Sequence, residues 1–122
     1  MEKKNIDWAA LGFGYHQTDK RYVSYYKDGA WDEGALTEDA NITLNECAGV
    51  LQYAQTCFEG LKAYTTEDGR IVVFRPDLNE ARMHDSCKRL EMPTLPKGRF
   101  VEAVKAVVKA NEAYVPPYGS GA

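Results

Sequence analysis

The chain has 122 residues, of which 44% are hydrophobic and 27% charged, and its formal net charge is −3. This length fits one domain with a modest core, and this composition is not that of a disordered chain. Acidic and basic residues are interspersed, so no basic face indicates a nucleic-acid partner, and no apolar run is long enough to span a membrane. No apolar segment follows the charged N-terminus, so we expect no secretory signal and a cytoplasmic protein.

The first half of the chain predicts one hairpin, one short strand and one helix. Strand-like runs at 22–27 and 30–31 flank Asp28-Gly29, a pair that supplies the positive φ of a tight hairpin turn. Residues 42–44 predict a short strand. Asn45 is a candidate N-cap for a helix over 46–59 that Gly60 would end.

A second hairpin is predicted further along the chain. The strand-like runs at 61–64 and 71–74 enclose a loop that contains Asp68-Gly69. Pro76 closes the second strand, since proline cannot donate to a ladder.

Two helices follow this hairpin. Asp77 and Glu80 have the spacing of a capping box, which predicts a helix over 78–91. Apolar residues at helical spacing predict a last helix over 98–113. The whole pattern predicts the α+β class, with antiparallel hairpins forming a sheet that helices pack against.

A helical wheel divides the 78–91 helix into two faces. The face expected to pack carries Asn79, Met83, Ser86, Cys87 and Leu90. The face expected to be solvated carries Glu80, His84, Lys88 and Glu91. Arg82 lies at the border, where its planar guanidinium could reach a phosphate in a cleft. On geometry alone, a surface arginine paired with Asp85 or Glu80 is the favoured interpretation.

The cysteines and histidines indicate no metal site. Cys47, Cys57 and Cys87 form no Cys-X-X-Cys pair and leave one residue over in any disulfide scheme, so we expect reduced thiols. Cys57 is expected to be a small buried packing residue. His16 and His84 lie far apart, without the spacing of zinc ligands.

Several motifs resemble those of the branched-chain amino acid aminotransferases, fold-type IV enzymes that use pyridoxal 5′-phosphate. The similar segments are LGFG (11–14), YKDGAWDEG (26–34), ECAGVLQYAQTCFEG (46–60), FEGLKAY (58–64), FRPDLN (74–79), ARMHDSCKRLEMP (81–93) and VPPYGSGA (115–122). The resemblance covers nearly everything from residue 7 onward. It implies that residues 1–122 are the N-terminal small domain of a two-domain enzyme that is a homodimer when full length. It also implies a role in branched-chain amino acid biosynthesis, with transfer of an amino group between leucine, isoleucine or valine and 2-oxoglutarate.

The resemblance assigns roles to four residues. The family's phosphate-binding arginine lies in the helix after FRP, at the position of Arg82. Two aromatic residues of the family's substrate pocket match Phe13 and Phe58. A tyrosine that reaches into the neighbouring subunit's site matches Tyr53. Aromatic walls of this kind suit branched aliphatic side chains and exclude water.

The chain departs from the family pattern in one respect. The family's catalytic lysine, which holds the cofactor, lies in a C-terminal domain downstream, and the acidic partner of the pyridine nitrogen lies there too. In the family, none of the positions of the following lysines holds the cofactor: Lys62, Lys88, Lys97, Lys105 and Lys109. We therefore expect no catalytic residue in this chain, and we expect the chain alone to be inactive.

Two alternatives stay open. The chain could be a non-catalytic α+β interaction module that associates through an exposed aromatic face. It could also be the small domain of a D-amino acid aminotransferase or an aminodeoxychorismate lyase, which share the fold type. The LGFG, YKDGAWDEG and FRPDLN segments resemble the branched-chain enzymes more closely.

Overall fold

Six short strands and three helices make up the computed structural model, which describes residues 1–122. The strands are β1 (Arg21–Val23), β2 (Tyr26–Lys27), β3 (Ala30–Trp31), β4 (Ala35–Thr37), β5 (Ala63–Thr65) and β6 (Ile71–Val73). The helices are α1 (Gly49–Gln52), α2 (Pro76–Arg89) and α3 (Arg99–Ala110), with 3-10 turns at Trp8–Ala10 and Glu112–Tyr114. This content confirms the α+β class.

The strands pair as three antiparallel ladders of two strands each. β1 pairs with β4, β2 with β3, and β5 with β6. Both predicted hairpin turns form, with Asp28 and Gly29 at φ 53° and 82° and Gly69 at φ 83°. These positive angles are the ones that Asp-Gly and glycine adopt most readily, which is why the turns could be located from sequence.

The predicted run at 22–27 is divided into two strands by Asp32. Its carboxylate accepts hydrogen bonds from Ser24 Oγ (2.8 Å) and from the backbone N–H of Tyr25 (3.1 Å) and Gly34 (2.9 Å). The run is therefore interrupted at residues 24–25. The strand before the interruption, β1, pairs with β4, and the strand after it, β2, pairs with β3.

The helix predicted over 46–59 is wrong, since only Gly49–Gln52 is helical. The Asn45 side chain accepts from the backbone N–H of Cys47 (2.8 Å), which makes a local turn in place of a helix cap. Ala54 has φ 50°, a left-handed conformation that interrupts the helix. The apolar side chains of this segment are exposed, so no packed face supports a longer helix.

The strand predicted at 42–44 is also wrong. These residues pair with no neighbouring strand, and Ile42 and Leu44 are exposed. A strand is stabilised by its cross-strand partners, and this segment has none.

The α2 helix begins at Pro76, a residue that suits the first helical position because its N–H would be unpaired there. The capping box predicted for Asp77 and Glu80 does not form. The Asp77 carboxylate accepts from Arg75 Nε (2.9 Å) and Nη2 (2.8 Å), and no side chain caps the helix.

Glu80 instead joins α2 to the start of α3. Its Oε1 accepts from the backbone N–H of Gly98 (2.8 Å) and Phe100 (3.2 Å), so it satisfies donors that the first turn of α3 leaves unpaired. Glu80 is buried, and His84 Nε2 is buried without a hydrogen-bond partner. The prediction that Glu80 and His84 belong to a solvated face is therefore wrong.

The fully buried core is small. Four residues of 122 are buried: Glu80, Cys87, Asn111 and Val115. Asn111 Nδ2 donates to the carbonyls of Lys20 (2.8 Å) and Val107 (2.9 Å), and its Oδ1 accepts from Lys20 N–H (2.9 Å). This one side chain ties the end of α3 to the segment that enters β1. None of the helices combines the length and apolarity needed to cross a bilayer.

Candidate functional site

The arginine predicted to bind phosphate lies in a cluster of three polar side chains. Arg82 Nε donates to Glu59 Oε2 at 2.8 Å, and Arg82 Nη2 donates to Glu59 Oε1. Asn79, one helical turn before Arg82, donates from Nδ2 to Glu59 Oε1 at 2.7 Å and to the Gly60 carbonyl at 3.1 Å. Helix α2 therefore presents two donors to one carboxylate of the segment before β5.

The two charged partners differ strongly in exposure. The Glu59 side chain is 4% exposed, whereas the Arg82 side chain is 70% exposed. The hydrogen bond from Arg82, together with that from Asn79, holds the pKa of the Glu59 carboxyl below its usual value. The same contact raises the pKa of Arg82 above its usual value. Glu59 is therefore an anchored anion, and the arginine is its exposed partner.

Arg82 pairs with Glu59, and not with Asp85 or Glu80, the partners that the helical wheel favoured. Glu80 binds the start of α3, and Asp85 forms no ion pair with Arg82. The two-pronged contact with Glu59 uses Nε and Nη2, and Nη1 forms no hydrogen bond within the chain. A guanidinium has donors on three nitrogen atoms, so Nη1 remains available to an external anion.

Phe58 stands next to this cluster in sequence and is largely exposed, at 88%. Its ring lies over Gly60, where an added Cβ would come within 3.3 Å of ring atom Cε1. The backbone at 58–60 therefore carries an apolar ring, a buried carboxylate and a glycine on which the ring rests. An exposed apolar ring therefore precedes the carboxylate that binds Arg82.

Phe13 and Tyr53 are exposed elsewhere on the chain. Phe13 lines a cavity of about 570 Å³ with Trp8, Leu11 and Lys62, and neither Arg82 nor the other two aromatic residues line it. Tyr53 follows α1 and is 84% exposed. Of the four predicted site residues, Arg82 and Phe58 are linked, because Arg82 binds Glu59, the residue that follows Phe58.

The donor set at Arg82 fits a phosphate group. The guanidinium is exposed, Nη1 is unpaired within the chain, and the buried Glu59 fixes the orientation of the planar fork. A planar, oriented guanidinium suits a phosphate dianion, although the neighbouring carboxylate reduces the net positive charge of the site. By contrast, no group of three or more His, Cys, Asp or Glu side chains is arranged to hold a metal ion.

Glu59 and Asn79 were not identified from sequence as parts of this site. The helical wheel puts Asn79 on the packing face of α2, and the sequence predicts that Glu59 ends a helix, which does not form. The sequence offers one signal, which is that Glu59 is adjacent to Phe58 in the FEG motif. Periodicity alone gives no indication that this carboxylate is buried.

Comparison with curated proteins finds relatives that are similar to nearly the whole chain. A branched-chain-amino-acid aminotransferase of Haemophilus influenzae is 51% identical over 119 residues, which are 98% of this chain and 35% of that protein. A protein of the same name from Helicobacter pylori is 44% identical over 119 residues, again 98% of this chain and 35% of the relative. Over 98% of its length, this chain is similar in sequence to branched-chain aminotransferases.

The chain spans about a third of the length of the curated relatives it matches. A methionine aminotransferase of Arabidopsis thaliana is also similar, with 46% identity over 118 residues, or 96% of this chain and 33% of that protein. Similarity at this level is therefore shared by relatives named for different amino acids. No protein-family model matches the chain.

Proposed function

We propose that residues 1–122 form the small domain of a branched-chain amino acid aminotransferase that uses pyridoxal 5′-phosphate. The protein would transfer an amino group between leucine, isoleucine or valine and 2-oxoglutarate. The observation that carries this proposal is the identity of 51% over 98% of the chain with the Haemophilus influenzae enzyme.

Within this proposal Arg82 binds the cofactor phosphate. Glu59 and Asn79 hold its guanidinium in one orientation, and Nη1 offers the donors that the chain leaves free. When bound, the cofactor supplies an electron-withdrawing ring that stabilises negative charge at the α-carbon of the amino acid. Phe58 excludes water from one side of the pocket, and Phe13 and Tyr53 supply further aromatic walls, with Tyr53 serving the neighbouring subunit of a homodimer.

The proton transfers of the reaction require a group that this chain does not supply. In our assignment a lysine of a second, C-terminal domain performs them, and the chain alone is inactive. The many exposed apolar side chains support a covering partner, because a folded monomer rarely leaves large contiguous apolar patches open to water. We assign the protein to the cytoplasm and to branched-chain amino acid biosynthesis.

Substrate preference follows from the apolar character of the proposed walls. Phenyl and phenol rings contact branched aliphatic side chains without offering them a charge. A thioether side chain is also apolar and unbranched, which is consistent with a methionine aminotransferase among the relatives. We therefore expect leucine, isoleucine and valine to react, and methionine to react more slowly.

A chimeric enzyme tests this function directly. In the Haemophilus chimera, this chain replaces the matched 119 residues of the Haemophilus influenzae aminotransferase. We expect the purified chimera to convert leucine and 2-oxoglutarate to glutamate, and we expect the isolated chain to show no turnover under the same conditions. Circular dichroism and gel filtration identify a chimera that has folded like the parent enzyme.

Two results would contradict the proposal. A folded chimera without turnover, while the parent enzyme is active, would show that this chain does not serve as an aminotransferase domain. Turnover by the isolated chain would show that the chain holds its own catalytic group. In the first case, the chain is a non-catalytic interaction module.

A further inference from the structure

The sulfur atoms of Cys57, Met83 and Cys87 lie close together, where the segment before β5 contacts α2. Cys57 Sγ donates its S–H to Met83 Sδ at 3.2 Å, and Cys57 Sγ lies 3.7 Å from Cys87 Sγ. Met83 and Cys87 belong to α2, whereas Cys57 belongs to the irregular segment between α1 and β5. All three cysteines of the chain are free. The odd number of cysteines does not predict which two are neighbours, but the fold brings Cys57 and Cys87 together.

The two thiols are close enough to be joined by small movements. A disulfide bond is about 2.05 Å long, so the two sulfur atoms need to approach by about 1.7 Å. Cys87 is fixed within a helix, whereas Cys57 lies in a segment with no regular secondary structure. Rotation of the Cys57 side chain with a slight shift of its backbone is therefore the expected movement.

The surroundings of the pair favour an uncharged product. Cys87 is buried, and burial, followed by its hydrogen bond with Cys57, raises the pKa of Cys87 to about 11. An apolar site disfavours a thiolate, whereas a disulfide carries no charge. Cys57 is half-buried, so it is the sulfur that a dissolved oxidant meets first.

A neighbouring cavity gives small molecules a route to the buried thiol. It has a volume of about 380 Å³ and is lined by Trp31, Met83, Cys87, Met92 and Phe100 among others. A peroxide molecule is far smaller than this volume. Cys87 therefore does not depend on unfolding to meet an oxidant.

We propose that Cys57 and Cys87 form a reversible disulfide when the protein meets a peroxide. The Cys57 sulfur attacks one peroxide oxygen, the O–O bond breaks, and a sulfenic acid and one water form. The Cys87 sulfur then attacks the Cys57 sulfur, the S–O bond breaks, and a second water leaves with the Cys87 proton. The two thiols lose two hydrogen atoms, and the peroxide is reduced to two waters.

This bond joins the two elements that build the candidate site. Cys57 precedes Phe58 and Glu59, and Cys87 lies on the same helix as Arg82. Oxidation thus adds a covalent link to the hydrogen bonds that already join the segment of Phe58 and Glu59 to α2, and reduction by a dithiol removes that link. The proposal concerns thiol chemistry of the chain itself and stands whether or not the chain serves as an aminotransferase domain.

The test uses the chain with Cys47→Ser, which removes the exposed third thiol. After treatment with hydrogen peroxide under native conditions, we expect a mass loss of about 2 Da and the loss of both thiols. Proteolysis should give one linked pair of peptides that contain Cys57 and Cys87. Dithiothreitol should restore both thiols, and the linked form should unfold at a higher urea concentration than the reduced form, because the bond restricts the unfolded chain.

Matched controls distinguish a paired site from two independent thiols. In Cys57→Ser, Cys87 should keep its thiol at peroxide doses that close the pair in the parent. In wild-type chain unfolded in urea, all three cysteines should pair without preference. Accumulation of sulfinic acid at Cys57 with a free Cys87, or equal pairing of Cys47 and Cys57 with Cys87 in the native chain, would overturn the proposal.

Discussion

The side chain of Glu59 is almost completely buried, and the side chain of Arg82, which donates two hydrogen bonds to it, is largely exposed. A carboxylate removed from water needs a cationic partner, so the arginine stabilises Glu59 in place. In turn, Glu59 restricts a long side chain that would otherwise sample many rotamers. The pair links the FEG segment to α2 and turns a surface arginine into an oriented donor.

The Glu59–Arg82 pair should make stability depend on pH. Because the pKa of Glu59 is lowered in the folded chain, its contribution is present above the unfolded value of about 4.3 and is lost as the pH falls through the lower folded value. At neutral pH, Glu59→Gln should therefore have a lower free energy of unfolding than wild type. On acidification, the free energy of unfolding of Glu59→Gln should fall less than that of wild type. Urea midpoints measured from neutral pH down to acidic pH check this. Parallel curves for the two proteins would show that the pair contributes nothing.

Glu80 should matter for stability more than its position in the sequence suggests. Glu80→Ala leaves the N–H groups of Gly98 and Phe100 without their acceptor, which should cost about 1–3 kcal/mol. Glu80→Gln keeps one side-chain oxygen as acceptor and should lose less. Urea unfolding gives both values. Glu67→Ala, in the exposed hairpin loop, is the control, and an equal loss for Glu67→Ala and Glu80→Ala would refute the capping role.

The isolated chain should self-associate more than a monomer of its size. Phe13, Tyr53 and Phe58 are exposed, and apolar patches of this kind drive association. Replacing any of the three with serine should shift the chain toward monomer in size-exclusion chromatography with light scattering. Tyr25→Ser, an exposed aromatic outside the proposed site, should not. A clean monomer at all concentrations would contradict the expectation.

Local features of the fold could be predicted from sequence because they depend on neighbouring residues. Asp28-Gly29 and Gly69 adopt the positive φ angles that hairpin turns require. These outcomes follow from backbone sterics alone. The α+β class follows from the same local signals.

Long-range contacts account for what sequence reasoning missed. Glu80 had the spacing of a local cap, yet its carboxylate binds N–H groups 18 and 20 residues away. The amphipathic wheel could not show that a neighbouring helix covers this face. Likewise, the segment after Asn45 has a candidate cap and a terminating glycine, but its apolar side chains are exposed, and the helix has only one turn.

The partner of Arg82 could not be predicted for the same reason. Its candidate partners along the helix were Asp85 and Glu80, whereas Glu59 lies 23 residues earlier in the chain. The position of Arg82 followed from the resemblance to the family and not from the wheel. Its contact with a buried carboxylate became visible only when the fold brought the segment before β5 onto α2.

The cofactor affinity of Arg82 variants tests the central claim most directly. In the Haemophilus chimera, Arg82→Ala should weaken binding of pyridoxal 5′-phosphate about tenfold to a hundredfold, since a charge-assisted contact with phosphate is lost. Arg82→Lys should recover part of this loss, because an ammonium cannot make a two-pronged contact. Arg89→Ala, at the exposed end of the same helix, is the matched control and should bind like the parent.

Titration with pyridoxal, which lacks the phosphate, makes the result specific to the proposed contact. The account predicts that Arg82→Ala lowers affinity for pyridoxal 5′-phosphate and leaves affinity for pyridoxal unchanged in a chimera that folds like the parent. An unchanged affinity for pyridoxal 5′-phosphate, or an equal loss for both compounds, would contradict the assignment of Arg82 to the cofactor phosphate.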